Sequence, residues 1–98
     1  MFFSNPGNIQ HYEIDNVSDA SIEVKIFTDS PKGEHVYIIS KDTRHPDLEV
    51  IKSEIRNGLQ IVKNNGGDIE FHEYVERDYI FVKFPSGQEK QYTGRKIK

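Results

Sequence analysis

Ninety-eight residues, 35% hydrophobic and 30% charged, suffice for one small folded domain and not for two. The absence of cysteine excludes disulfides, thiolate zinc sites, cysteine-ligated iron–sulfur clusters and cysteine nucleophiles. The formal charge of -3 is unevenly spread: from residue 83 onward five bases oppose Glu89 alone and leave +4, while the eight bases and fifteen acids before them leave -7. An acidic body with a basic tail is the one global electrostatic feature.

The first eight residues read as a loose start, without the basic and apolar segments of a secretory leader. No apolar run approaches the roughly 20 residues that a membrane-spanning helix needs. A soluble, cytoplasmic protein without membrane contact is the resulting expectation. A short strand is expected over Gln10–Asp15. Ser21–Thr28 alternates, with Ile22, Val24 and Ile26 on one face and Glu23 and Lys25 on the other, as a half-buried strand does. Residues 29–33 carry turn chemistry, Asp-Ser-Pro-Lys-Gly. Glu34–Lys41 is apolar on both faces through Val36, Tyr37, Ile38 and Ile39, which predicts a strand inside the sheet.

Pro46 suits a helix start, and Asp47 and Glu49 complement the positive end of the helix dipole. Leu48, Ile51, Ile55, Leu59 and Val62 recur at spacings of three and four, one stripe of an amphipathic helix. Gly58 lies beside that stripe. Glycine there costs roughly 1 kcal/mol of helix propensity relative to alanine, which a close approach of helix to sheet would offset. Asn64-Asn65-Gly66-Gly67 ends the helix. Strands are then expected over Asp68–Val75 and Tyr79–Phe84, followed by a polar edge strand near Gln88–Tyr92 and a frayed tail over 93–98. The order is three strands, one central helix and three strands: a single α+β domain spanning residues 1–98, its mainly antiparallel sheet covered on one face by the helix.

The stretch LEVIKSEIRNGLQIVKNNGGDIEFHEYVERDYIFVKF, residues 48–84, resembles the small NifU-like scaffold domain, which also runs from a helix through a glycine pair and Asp-Ile-Glu into a hairpin. That family's iron–sulfur chemistry depends on a Cys-x-x-Cys pair after the hairpin, where this chain has PSGQEKQY, so no cluster-binding residue carries over and the family is not assigned. A phosphate-binding loop is excluded on different grounds. Such loops lead into a helix N-terminus, whereas these glycines follow a helix and lie at its negative end. They are a stop signal.

No other motif points to chemistry. Glu70 and His72 share a strand face, but two ligands do not make a metal site, and no spacing supplies the rest. No serine stands in a nucleophile-elbow context, and the acids of residues 70–78 read as solvated surface. Neither a catalytic residue nor a cofactor or metal is therefore assigned, and an enzyme is not expected. The basic tail offers a nucleic-acid reading, with Lys90, Arg95, Lys96 and Lys98 as phosphate contacts and Tyr92 as a stacking platform. The leading expectation is a small accessory, regulatory or inhibitory module that binds another protein. It would use an aromatic sheet face left uncovered by the helix and made of Tyr37, Ile39, Tyr74, Tyr79 and Phe81. A homodimer through that face or an edge strand fits the same pattern, as does burial of the face beneath Phe2, Phe3 and Ile9.

Overall fold

Asp47 starts the helix. Its backbone is extended, at φ -108 and ψ 108, and its carboxylate accepts hydrogen bonds from the backbone N–H groups of Glu49 and Val50, an N-cap interaction worth about 1 kcal/mol. Pro46 therefore precedes the cap rather than occupying the first turn. The helix, α1 (Leu48–Asn65), ends where Gly66 takes φ 80 and donates its N–H to the Val62 carbonyl. The expected stripe, Leu48, Ile51, Ile55, Leu59 and Val62, is buried along its length. Each such side chain contributes about 1.5–3 kcal/mol.

The structure, a computed structural model, describes residues 2–3, 9–28 and 33–98. Apart from the backbone of residues 2–3, the expected loose start over residues 1–8 and the turn over 29–32 lie outside the described residues. The chain forms β1 (Phe2–Phe3), β2 (Ile9–Asn16), β3 (Ser21–Thr28) and β4 (Glu34–Ser40), then α1, then β5 (Glu70–Tyr74), β6 (Tyr79–Lys83) and β7 (Glu89–Lys96). A short 3₁₀ turn, Val75–Arg77, joins β5 to β6. All strands lie in one sheet, in the order β1-β5-β6-β7-β4-β3-β2, and every pairing is antiparallel. The α+β architecture read from the sequence is present, with β1 as an added two-residue strand.

The C-terminal segment differs from expectation. Instead of a polar edge followed by a frayed tail, β7 lies near the middle of the sheet. Its first half pairs with β6, from Glu89 opposite Lys83 to Thr93 opposite Tyr79, and its second half pairs with β4, from Thr93 opposite Ser40 to Lys96 opposite Tyr37. Beyond the strand, Val36 and Ile97 remain linked by a 2.7 Å bond from the Ile97 N–H, and Val36 donates to the Lys98 carbonyl. The Lys98 ammonium lies 2.7 Å from Glu34 and holds that carboxyl below its ordinary value. Polar composition conceals a central strand here because the inward positions are Lys90, Tyr92, Gly94 and Lys96. Of these only Tyr92 has an apolar body, while the Lys90 ammonium pairs with Glu54 of α1.

The sheet is curled. Residues 4–8 are all that separates β1 from β2, strands at opposite ends of the sheet order. Six steps of about 3.5 Å reach about 21 Å, whereas a flat seven-stranded sheet holds its outermost strands about 29 Å apart. The concave side cradles α1. Tyr12 of β2 donates to Gln60 on one flank of the helix, and Lys90 and Tyr92 of β7 donate to Glu54 on the other. Inside lie Ile22, Val24, Ile26, Tyr37, Ile39, Phe71, Ile80 and Val82, all fully buried. Ile9 joins this core rather than the opposite face.

Candidate functional site

Strand alternation decides which side chains face away from the helix. Residues opposite one another across the ladder share a face. The pairings Tyr79 with Tyr74, Tyr79 with Thr93, Phe81 with Gln91, and Ser40 with Thr93 therefore define the convex side of β5, β6, β7 and β4. Tyr74 and Phe81 are diagonal neighbours there, with ring centroids 5.1 Å apart at 78° in an edge-to-face arrangement. Such a pair holds both rings in one orientation. Tyr74 is 51% exposed, and Tyr79 and Phe81 are half-buried. Among the described residues no helix or strand covers these rings.

Beside them lies an open cleft of about 270 Å³ lined by Ile38, Ser40, Asp78, Thr93, Gly94 and Arg95. The turn between β5 and β6 places Asp78 at its rim. This residue takes the left-handed conformation, φ 55 and ψ 37, and its carbonyl accepts the Gly94 N–H at 2.7 Å. Aspartate tolerates that conformation better than most residues. Arg95 stands on the same side of β7, opposite Ile38. Asp78 and Arg95 are both exposed, and neither forms an ion pair with a described residue.

Two of the five residues expected on this face are elsewhere. Tyr37 and Ile39 are fully buried on the helix side, opposite Val24 and Ile22 of β3. The run Val36-Tyr37-Ile38-Ile39 is apolar at every position, so a two-residue period cannot assign its faces. The pairing with β3 does. Burial, and secondarily the Glu73 charge, push the Tyr37 phenol far above its ordinary value. Tyr74, Tyr79 and Phe81 remain together on the convex side.

The residues of the nucleic-acid reading do not form one surface. Tyr92 is fully buried, donates its hydroxyl to Glu54 at 3.0 Å, and packs against His45 with centroids 4.7 Å apart, so it has no face open to a base. Burial, then the Glu54 charge, push its phenol far above the ordinary range. Lys90 is neutralised by Glu54 and Lys98 is paired with Glu34. Lys96 sits on the helix side, opposite Tyr37, and Arg95 on the convex side, opposite Ile38.

A second cleft, of about 220 Å³, runs between α1 and the β6–β7 hairpin, with Gly58 and Phe84 in its floor, Ile61 on its rim and the Glu54–Lys90 pair at one end. Sequence reasoning missed it, although Ile61, 47% exposed, stands outside the buried stripe and is the available signal. Asp78 was missed as well, since an acid in a turn normally reads as solvated. Glu70 and His72 lie 2.9 Å apart, and no group of three metal-ligating side chains occurs among the described residues. No described helix is long and apolar enough to cross a membrane. No protein-family model, curated protein or solved structure matches this chain, so the NifU-like resemblance gains no support and the site rests on its own geometry.

Proposed function

We propose that this protein is a non-catalytic binding module that engages another protein through the convex side of its sheet. The observation that carries the reading is the Tyr74–Phe81 pair, set edge-to-face on a side that no described element covers. Tyrosine and phenylalanine are over-represented in the buried centres of interfaces. Tyr79 and Ile38 extend the apolar patch, while Ser40, Thr93, Asp78 and Arg95 supply the polar rim expected around such a centre.

Affinity capture from the native host tests this, with the wild type compared against a Tyr74→Ser/Phe81→Ser variant. A protein retained by the wild type and lost from the variant is the expected result, with unchanged far-ultraviolet circular dichroism showing that the fold survives. Identical capture by both proteins would remove the convex face from the function.

A further inference from the structure

We propose that the partner seated on the convex face is a second copy of this chain, related by a two-fold axis and locked by reciprocal Asp78–Arg95 ion pairs. The inference rests on the protein-binding reading above and names its partner. Its basis is the charge arrangement of the face. One carboxylate and one guanidinium rim the same cleft, both exposed, yet they do not bridge to each other or to another described side chain.

A two-fold contact is isologous: if residue i of one protomer touches residue j of its partner, residue j of the first touches residue i of the second. A cleft whose rim carries one exposed charge of each sign, neither bridged within the described residues, complements itself across such an axis. Arg95 of one copy meets Asp78 of the other, twice.

The apolar complement is present on the same side. Tyr74 is 51% exposed and Ile97, two residues beyond Arg95, is 53% exposed. Half-buried Tyr79 and Phe81, on β6, lie between their strands, and half-buried Ile38 stands on β4, on the far side of β7. Aromatic rings near the axis would meet their own counterparts, and the ion pairs would fix the register. Rim charges set specificity and orientation more than raw affinity.

Sedimentation equilibrium of the full chain, over roughly 1–500 μM, provides the test. The wild type should shift from monomer towards dimer as concentration rises. Asp78→Arg and Arg95→Asp, each alone, place like charges opposite one another twice and should sediment as monomers. An equal mixture of these two variants should recover the dimer, because the two arginines of one variant then face the two aspartates of the other. Circular dichroism of each variant verifies folding. A wild type that stays monomeric at the highest concentration overturns the proposal, as does a mixture that stays monomeric when the wild type dimerises. In either case, loss of a captured host protein in the Tyr74→Ser/Phe81→Ser variant would leave the protein-binding reading standing. Without that loss both ideas fall.

Discussion

Tyr37 and Phe71 stack with ring centroids 4.6 Å apart at 17°, although β6 and β7 stand between their strands in the sheet. Strands three positions apart in a flat sheet lie about 14 Å from each other. The two rings therefore measure how sharply the sheet folds over its own concave side. Both are fully buried, in one core with the apolar stripe of α1.

Removing either ring should cost about 3–5 kcal/mol of stability. That is a large fraction of the roughly 5–15 kcal/mol that holds a domain together. Phe71→Ala and Tyr37→Ala should each move the urea midpoint strongly downward. The double variant should lose less than the two losses added, by about 0.5–1.5 kcal/mol, since the second truncation no longer breaks a ring pair. Strictly additive losses would mean that the stack contributes nothing beyond its burial.

Gly94 lies where β7 passes from β6 to β4. A Cβ there would stand 2.3 Å from the Ile38 carbonyl oxygen and 3.1 Å from the Ile39 Cα. Both obstacles are backbone, so β7 and β4 would have to separate. Gly94→Ala should cost more than about 3 kcal/mol, in the range reserved for changes that force a rearrangement. Gly58→Ala is the contrast. Its methyl would meet Phe84 Cδ1 at 2.8 Å and Ile69 Cδ1 at 3.2 Å, but both obstacles are side chains rather than backbone, and Phe84 borders an open cleft. Helix propensity returns roughly 1 kcal/mol, so the net change should stay within about 1.5 kcal/mol. Paired urea titrations of the two variants decide the ranking.

The legible parts of this fold are those with an unambiguous period. β3 alternates Ile22, Glu23, Val24, Lys25, Ile26, and its bounds in the structure match those of the alternation. The helix stripe is legible residue by residue, and the Asn-Gly-Gly stop falls where the helix ends. β4 is different: four consecutive apolar residues carry no period, so Tyr37 and Ile39 cannot be placed on a face without the register of β3. β7 hides for another reason. Its neighbour β6 is close by in sequence, but its other neighbour, β4, lies more than fifty residues away. Its place depends on Gly94 and on Glu54 of the helix, and neither announces itself locally. The Asp78–Arg95 cleft is invisible in sequence for the same reason: it exists only once β7 has crossed from β6 to β4.

Asp42 makes the loop before α1 sensitive to acid. Burial works against its charged form, but the Thr93 hydroxyl and the backbone N–H groups of His45 and Arg44 all donate to the carboxylate and prevail, holding its pKa below the ordinary value. A carboxyl whose pKa is lower in the folded state contributes stability that is present above the unfolded value and lost as pH falls through the folded one. Thr93→Val should raise the Asp42 pKa, read by carbon-detected NMR titration. Asp42→Asn should flatten the acid limb of a stability–pH curve relative to wild type. An unchanged limb would show that this tether between the loop and β7 is not coupled to folding.

The alkaline limb belongs to Tyr37 and Tyr92. Burial raises both phenols far above their ordinary value, with Glu73 adding to the effect at Tyr37 and Glu54 at Tyr92. Groups whose folded pKa is raised bind protons more tightly in the native state. Their contribution is therefore intact below the unfolded value of about 10 and is lost as pH climbs above it, where the unfolded chain ionises and the folded one does not. Urea midpoints should fall steadily between about pH 9.5 and 11.5. Tyr92→Phe gives up the hydroxyl bond to Glu54, a net loss of about 1 kcal/mol near neutrality, and removes one of the two ionisable rings. Its stability should consequently decline less steeply than that of the wild type above pH 10. Parallel curves for the two proteins would mean that the Tyr92 hydroxyl ionises in the folded state, and that the Glu54 contact does not keep it closed to solvent.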